Sequence, residues 1–511
     1  MSNSNKTIAI NTIVVYMRIF ITMLVGLFSS RFVLKALGES DFGLYTVVGG
    51  IISMFSFLSG ALSQTTTRYI NYENARPKGN VNEIFNISLI IHIIFVAIII
   101  IISEILGIYY INNYLVVDKL KIIDALFVFQ TSLIITCLGV VSVPFQSLFI
   151  AKEKFIYIAI VEILQTIVRF GFILTMFLYD GNKLRYYAVI MSLTILIGCI
   201  IYVVESRRRW PKITKFKFYK DKEKYKQILY FNNYSLLGAG ALVSRSQGSM
   251  MIVNYFYGTV VNAAYAIANN VQSYVNLFIG NFDTASGPQI TQLVSCGNIE
   301  DSLRLVSRTC RICILLMCLI YFPLSVELEF ILKLWLGNVP EGTTILCRYT
   351  LGIAIVSSTS GGLSKLIAAF GKIKWFQIIY SALYFSCLPI SMFMLKYGTP
   401  VYIVPILFII SDLINRIIQY VLLNKYIHFD VIKFCIETYS KPIIVFSIMY
   451  FYELIYAKLG IIGEMNKFIG ILITGILSIL VSYFIGLKKC ERNLLTNYVS
   501  NKLNLVIFHK D

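Results

Sequence analysis

Polar positions in this chain are sparse and grouped. Between them run long stretches of Ile, Leu, Val, Phe and Tyr, at about residues 9–36, 44–67, 84–110, 122–147, 155–179, 186–205, 229–256, 263–290, 309–335, 342–370, 374–396, 400–422, 440–457 and 467–487. A helix needs roughly 20 apolar residues to cross the hydrocarbon of a bilayer. The runs are continuously apolar, which predicts helices; a membrane barrel would alternate along each strand. The pattern therefore predicts an all-α polytopic membrane protein with about fourteen transmembrane helices. The first run carries Arg18 and Arg31. It is too long and too basic for a cleaved leader and is expected to stay as a helix.

Composition supports this class and removes others. Hydrophobic residues make up 57% of the 511 residues and charged residues only 14%, against about 25% in a soluble protein. A soluble enzyme, a disordered chain and a nucleic-acid-binding domain are excluded as classes. The net charge of +19 matters through its distribution. With the N-terminus cytoplasmic, about 29 Lys and Arg fall in segments on that side and about 9 on the other, as the positive-inside rule requires. An even number of crossings puts both termini in the cytoplasm, in agreement with the charge bias.

The densest segment is 206–228, with Arg207, Arg208, Arg209, Lys212, Lys215, Lys217, Lys220, Lys222, Lys224 and Lys226. It reads as a topology determinant in preference to a nucleic-acid or lipid-headgroup patch. The outer loops are about 4 to 15 residues long and leave no room for a domain.

The chain also repeats itself. With a constant offset of 220, Gly38 meets Gly258, Tyr45 meets Tyr265, Gly60 meets Gly280 and Ile70 meets Ile290, while Gly43 meets Ala263 and Val47 meets Ile267. Six runs separate the copies, so both halves keep the same orientation, related by an axis along the membrane normal. The expected organisation is a six-helix lobe over 1–205, a basic cytoplasmic linker over 206–228, a second six-helix lobe over 229–422, and two further helices with a cytoplasmic tail over 423–511.

Arg31-x-x-Leu34-x-x-Leu37-Gly38, followed by Asp41-Phe42-Gly43-Leu44-Tyr45, resembles the motif after the first helix of bacterial polysaccharide repeat-unit flippases. These O-antigen and capsule transporters belong to the multidrug/oligosaccharidyl-lipid/polysaccharide exporter superfamily. Tyr255-Phe256-Tyr257-Gly258 and Ala263-Ala264-Tyr265-Ala266-Ile267-Ala268 resemble the same family's seventh-to-eighth helix junction. The resemblance implies transfer of an undecaprenyl-pyrophosphate-linked oligosaccharide across the bacterial cytoplasmic (inner) membrane, by two lobes that alternate access.

Such a substrate has an anionic, sugar-bearing head and an apolar tail that stays among membrane lipids. Cations inside the spans are the residues to inspect, because a charge at mid-membrane costs about 2.5–3.5 kcal/mol and needs a cavity or a partner. Arg18 and Arg245 lie in the helices that open the two expected lobes, and guanidinium forks suit a pyrophosphate. Around Arg245, the residues Asn233, Gly240, Ser244 and Gln247 recur at helical spacing, and Asn269, Asn270 and Gln272 follow on the next run. Amides and hydroxyls of this kind suit sugar hydroxyls, and equally suit interhelical hydrogen bonding. Lys365, Arg31 and Arg68 complete the candidate substrate contacts; snorkelling to the interface is the ordinary role of the last two. Arg348 and Arg416 read as span ends or pair partners, Arg416 one turn after Asp412.

Glu104, Glu162, Asp283 and Asp412 are the acids within runs, and Glu162 stands two turns before Arg169. Structural pairing is their expected role; coupling to H+ or Na+ stays open. No cofactor is implied, and two lobes in one chain predict a working monomer. Pro288 is the hinge candidate. Among ten cysteines, Cys310-x-x-Cys313 has no second pair nearby and reads as packing.

Competing classes are weaker. A cation-binding drug antiporter would want acids where the first run has two arginines. A peptidoglycan-precursor flippase shares the arginine logic and is separated only by the motif around Gly38. A membrane polymerase or glycosyltransferase would need larger outer loops, and phosphate-binding Gly-rich loops are missing from the sequence.

Overall fold

A computed structural model describes residues 3–75, 79–152, 154–370, 373–458, 463–489 and 491–493. Every regular element among them is a helix. The chain begins with α1 (Asn3–Ser53), α2 (Ser56–Ala75), α3 (Val81–Ile102), α4 (Ile108–Asn113), α5 (Ile122–Ala151) and α6 (Phe155–Thr175). It continues with α7 (Lys183–Arg209), α8 (Pro211–Thr214), α9 (Lys222–Val243), α10 (Ser249–Ser295), α11 (Ile299–Val326) and α12 (Leu328–Leu336). It ends with α13 (Thr343–Ser358), α14 (Leu363–Ala369), α15 (Ile373–Lys396), α16 (Ile403–Ile427), α17 (Val431–Lys458) and α18 (Glu464–Val481). Ten described spans are long and apolar enough to cross a membrane, or eleven when the bent pair α13–α14 counts as one.

The repeat read from sequence has a backbone counterpart. Gly38 interrupts α1 at φ 77, ψ 173, and Gly258 interrupts α10 at φ 76, ψ −171. Only glycine takes this conformation without steric cost. The two breaks therefore share one geometry at the matched positions. Ile70 and Ile290, also matched, are both fully buried.

Hydropathy places a loop at 37–43, but residues 39–53 are helical and the chain turns at Gly38 alone. The expected crossing 44–67 is instead divided between α1 and α2. At the division, Met54 N donates to Gly50 O and Phe55 N to Ile52 O, each at 3.0 Å. Prolines 144, 323, 389 and 442 lie within α5, α11, α15 and α17.

The chain divides into two compact units. The first comprises Met1–Ile267, Lys333–Thr343 and Gln377–Val404. Its core gathers Leu44, Val47, Val48 and Ile52 of α1 with Phe85, Phe129 and Phe149 of α3 and α5. In lipid, burial of apolar surface drives helix association weakly, so close backbone approach and polar contacts matter more. Both occur where α1 crosses α10. A methyl at Gly43 would lie 1.9 Å from Thr259 O, which only glycine permits. Around that contact Ser40 Oγ meets Thr259 Oγ1 at 3.1 Å, and Asn262 Nδ2 donates to Gly43 O at 3.1 Å. Gly43 and Ala263, matched by the offset of 220, thus sit at one crossing, with Ala263 N 3.2 Å from the methyl position.

The second unit comprises Ala268–Leu332, Thr344–Phe376 and Pro405–Asp511. Here α11 packs on α17 and α18, with Ile314, Leu315, Cys318, Phe322, Val445 and Met449 between them. The span α13–α14 bends by 43° across residues 359–362. Gly362 is left-handed there, and Cys310 Sγ donates to Gly361 O at 2.8 Å. The Cys310-x-x-Cys313 pair is thus buried against the glycine bend, the packing role expected of it.

Candidate functional site

Arg245 lies within the span Gly238–Leu277, in a π-helical turn over Ser244–Gly248. Such a turn adds a residue to the helical repeat and occurs often at functional sites. Its last residue, Gly248, meets Leu388 of α15 so closely that a methyl would come within 2.9 Å of Leu388 Cδ1. On the same helix α15, Tyr384 receives Arg245. The guanidinium carbon stands 5.4 Å from the ring centroid, and Nη1 donates to the phenol oxygen at 3.4 Å. Tyr380 meets Tyr384 edge-on, centroids 4.5 Å apart. Gln247 packs its amide against Gly50 of α1. The turn therefore presents a half-buried guanidinium backed by an aromatic face.

Arg18 is held differently. Its Nη1 donates to Glu162 Oε1 at 3.0 Å, and neither group is fully buried. Glu162, expected to share a face with Arg169, thus finds its partner 144 residues away. Arg31 Nη1 donates to Leu334 O at 3.1 Å and is exposed. Arg68 is exposed in the later part of α2. Asn233 and Pro288 lie in helices, but their side chains fall outside the described residues.

In the second unit Lys365 of α14 pairs with Asp283, which also accepts from Gly362 N at 2.6 Å. One carboxylate thereby ties α10 to the bend between α13 and α14. Asn269 and Asn270 are half-buried, and Asn269 Nδ2 meets no acceptor among the described residues. Asp412 accepts from Ser357 Oγ at 3.0 Å, while Arg416 Nε donates to Thr359 Oγ1 at 3.0 Å. A cavity of about 650 Å³ opens among α10, α11 and α18, lined by Phe282, Ile312, Leu316 and Ile479, with Arg308 and Glu491 also on its wall.

Two features escaped the sequence reading. Arg311 lies inside the expected run 309–335 and pairs with Glu491, the two side chains 3% and 5% exposed. The signal was present, since an arginine within an apolar run demands a partner, but Glu491 fell in the segment read as tail. Tyr384 carries no sequence mark that pairs it with Arg245, 139 residues earlier.

The described chain is a multi-pass helical membrane protein with the fold of a transporter superfamily. It is similar to a solved structure of the lipid II flippase MurJ in an inward closed conformation, at TM-score 0.65 and 16% identity, covering 93% of this chain and 98% of that one. It is also similar to an inward-facing multidrug resistance MATE family transporter of the MOP superfamily, at TM-score 0.64 and 14% identity, covering 78% and 93%. A third likeness is to a MOP superfamily transporter from Pyrococcus furiosus, at TM-score 0.54 and 14% identity, covering 81% and 94%. No curated protein matches the sequence. The pattern of one sequence family, described as polysaccharide biosynthesis protein, matches residues 8–294, more than half of the chain. The chain belongs to that family.

Proposed function

We propose that this protein flips an undecaprenyl-pyrophosphate-linked oligosaccharide, an O-antigen or capsule repeat unit, across the bacterial cytoplasmic membrane. It works by alternating access, as a monomer with both termini in the cytoplasm. The observation that carries this reading is Arg245, a guanidinium seated on an aromatic ring inside a membrane span. A headgroup crossing hydrocarbon needs fixed cations that are already oriented, and a planar fork binds pyrophosphate oxygens two at a time. The Tyr384 ring supports that fork from one side. Arg18 and Lys365 are each paired with a carboxylate, so anion binding there requires Glu162 or Asp283 to let go. Those exchanges are the steps at which H+ or Na+ would couple to transport. The apolar cavity beside α18 suits an isoprenoid chain.

In cells, Arg245→Ala and Arg18→Ala are each expected to abolish surface polysaccharide while protein level stays normal. Normal polysaccharide in both variants would remove the arginine mechanism. Retained partial function in Arg245→Lys would mean that charge suffices without the fork.

A further inference from the structure

The basic segment 206–228 has a feature that topology alone does not require. Between α8 and α9 the chain is neither helix nor strand and exposes Phe216 at 63% and Phe218 at 60%. Around them Arg207, Arg208, Lys212, Lys215, Lys217, Lys220 and Lys222 are all exposed.

The segment is pinned. Asn82 Nδ2 donates to Ile213 O at 2.7 Å and to Lys215 O at 2.8 Å. Asn86 Nδ2 donates to Lys215 O at 3.1 Å, and Asn86 Oδ1 accepts from Lys217 N at 3.2 Å. Tyr219 Oη donates to Asn82 Oδ1 at 2.9 Å, and Lys224 Nζ reaches Glu83 at 2.7 Å. Asn82, Glu83 and Asn86 occupy the first two turns of α3, where the span Val81–Asn113 begins. At 1.5 Å per residue these contacts lie within about 10 Å of the span's start. The phenylalanines are therefore tied to the first two turns of a membrane-spanning helix, not carried on a loop free of it.

We infer that residues 207–222 form an interfacial anchor: Phe216 and Phe218 enter the acyl boundary while the surrounding lysines and arginines bind anionic phospholipid headgroups. Apolar rings beside a polybasic patch are the two signals that together give firm attachment to an anionic leaflet. The charge pattern chooses the partner. A cationic rim around apolar rings is complementary to a leaflet rich in phosphatidylglycerol, and a zwitterionic leaflet satisfies only the rings. The partner is therefore an anionic lipid surface, independent of what the transporter carries.

The test uses the full-length protein in nanodiscs. Phe216→Trp is compared with wild type in discs of phosphatidylcholine alone and in discs with phosphatidylglycerol, each with bromine on the acyl chains. The emission added by the new tryptophan is expected to fall by about half in the anionic discs and to resist aqueous iodide. Replacing Lys215, Lys217, Lys220 and Lys222 together by Gln is expected to erase the difference between the two disc types. Phe218→Trp gives a second reading if Phe216→Trp fails to elute as folded protein. Added emission quenched by iodide and untouched by bromolipid overturns the anchor, including the case in which a soluble acidic protein later shields it. Equal bromolipid quenching in both disc types, unchanged by the Lys→Gln set, overturns the anionic preference.

Discussion

Two arginines stand inside the apolar helices under opposite constraints. Arg311 of α11 is 3% exposed, and its Nε and Nη2 both engage Glu491, while Nη1 donates to Glu437 O at 3.1 Å. Arg245 is half-buried in a π-helical turn and leans on the ring of Tyr384. The first has its charge cancelled and fastens the segment after α18 to α11. The second rests its guanidinium on an aromatic ring of α15 and sits in a turn that interrupts the regular helical repeat. A cation inside a membrane protein is thus no sign of function by itself; what faces it decides.

The comparison breaks first at Arg311. Arg311→Ala removes the closest cation from a buried carboxylate, leaving Arg308 at 3.7 Å, and is expected to cost about 3 kcal/mol, read as a large drop in melting temperature in detergent. Arg245→Ala should melt close to wild type. Equal losses in the two variants would mean that both arginines are structural.

The next largest effect is the pH dependence of the same pair. Burial alone would raise the Glu491 carboxyl, but the Arg311 guanidinium, the Lys488 backbone amide and the Arg308 charge outweigh it and hold the group below the ordinary carboxylate value. A carboxylate lowered in the folded state stabilises the fold above its unfolded-state value and loses that contribution as pH falls through the folded one. The contribution should therefore persist at neutral and mildly acid pH and vanish only below the usual carboxylate range. Melting temperature against pH should show this acid limb in the wild type and a flattened one in Glu491→Gln.

A smaller effect tests the turn that displays Arg245. Gly248→Ala would put a methyl 2.9 Å from Leu388 Cδ1, and the leucine must swing aside at about 1–2 kcal/mol. Transport should fall by more than that loss explains, since the turn is re-aimed. The smallest effect is expected from Tyr384→Phe, which removes a 3.4 Å hydrogen bond and keeps the ring. About 0.5 kcal/mol or less is expected, with transport retained, whereas Tyr384→Leu removes the aromatic face and should impair it.

Much of the fold was legible because membrane helices declare themselves by continuous apolarity, and Gly38 and Gly258 marked the repeat by their shared spacing. Hydropathy misplaced the boundary at 37–43, since a single left-handed glycine turns the chain without any polar loop to betray it. It also read 44–67 as one crossing, where the Ser53–Ser56 stretch divides two helices. For the site, Arg18, Arg245 and Lys365 were visible as charges in apolar runs. Their partners Glu162, Tyr384 and Asp283 were not, because each contact joins helices 82 to 144 residues apart. Arg311 was visible in the same way and was passed over; its partner Glu491, 180 residues downstream, was not.

The most direct test of the Arg245 assignment is a leaflet-transfer assay with purified protein in liposomes holding undecaprenyl-pyrophosphate-linked oligosaccharide. Wild type and Arg311→Lys, each confirmed as folded, are expected to move the lipid, and Arg245→Ala of equal stability is expected not to. Transfer by Arg245→Ala at the wild-type rate would contradict the account.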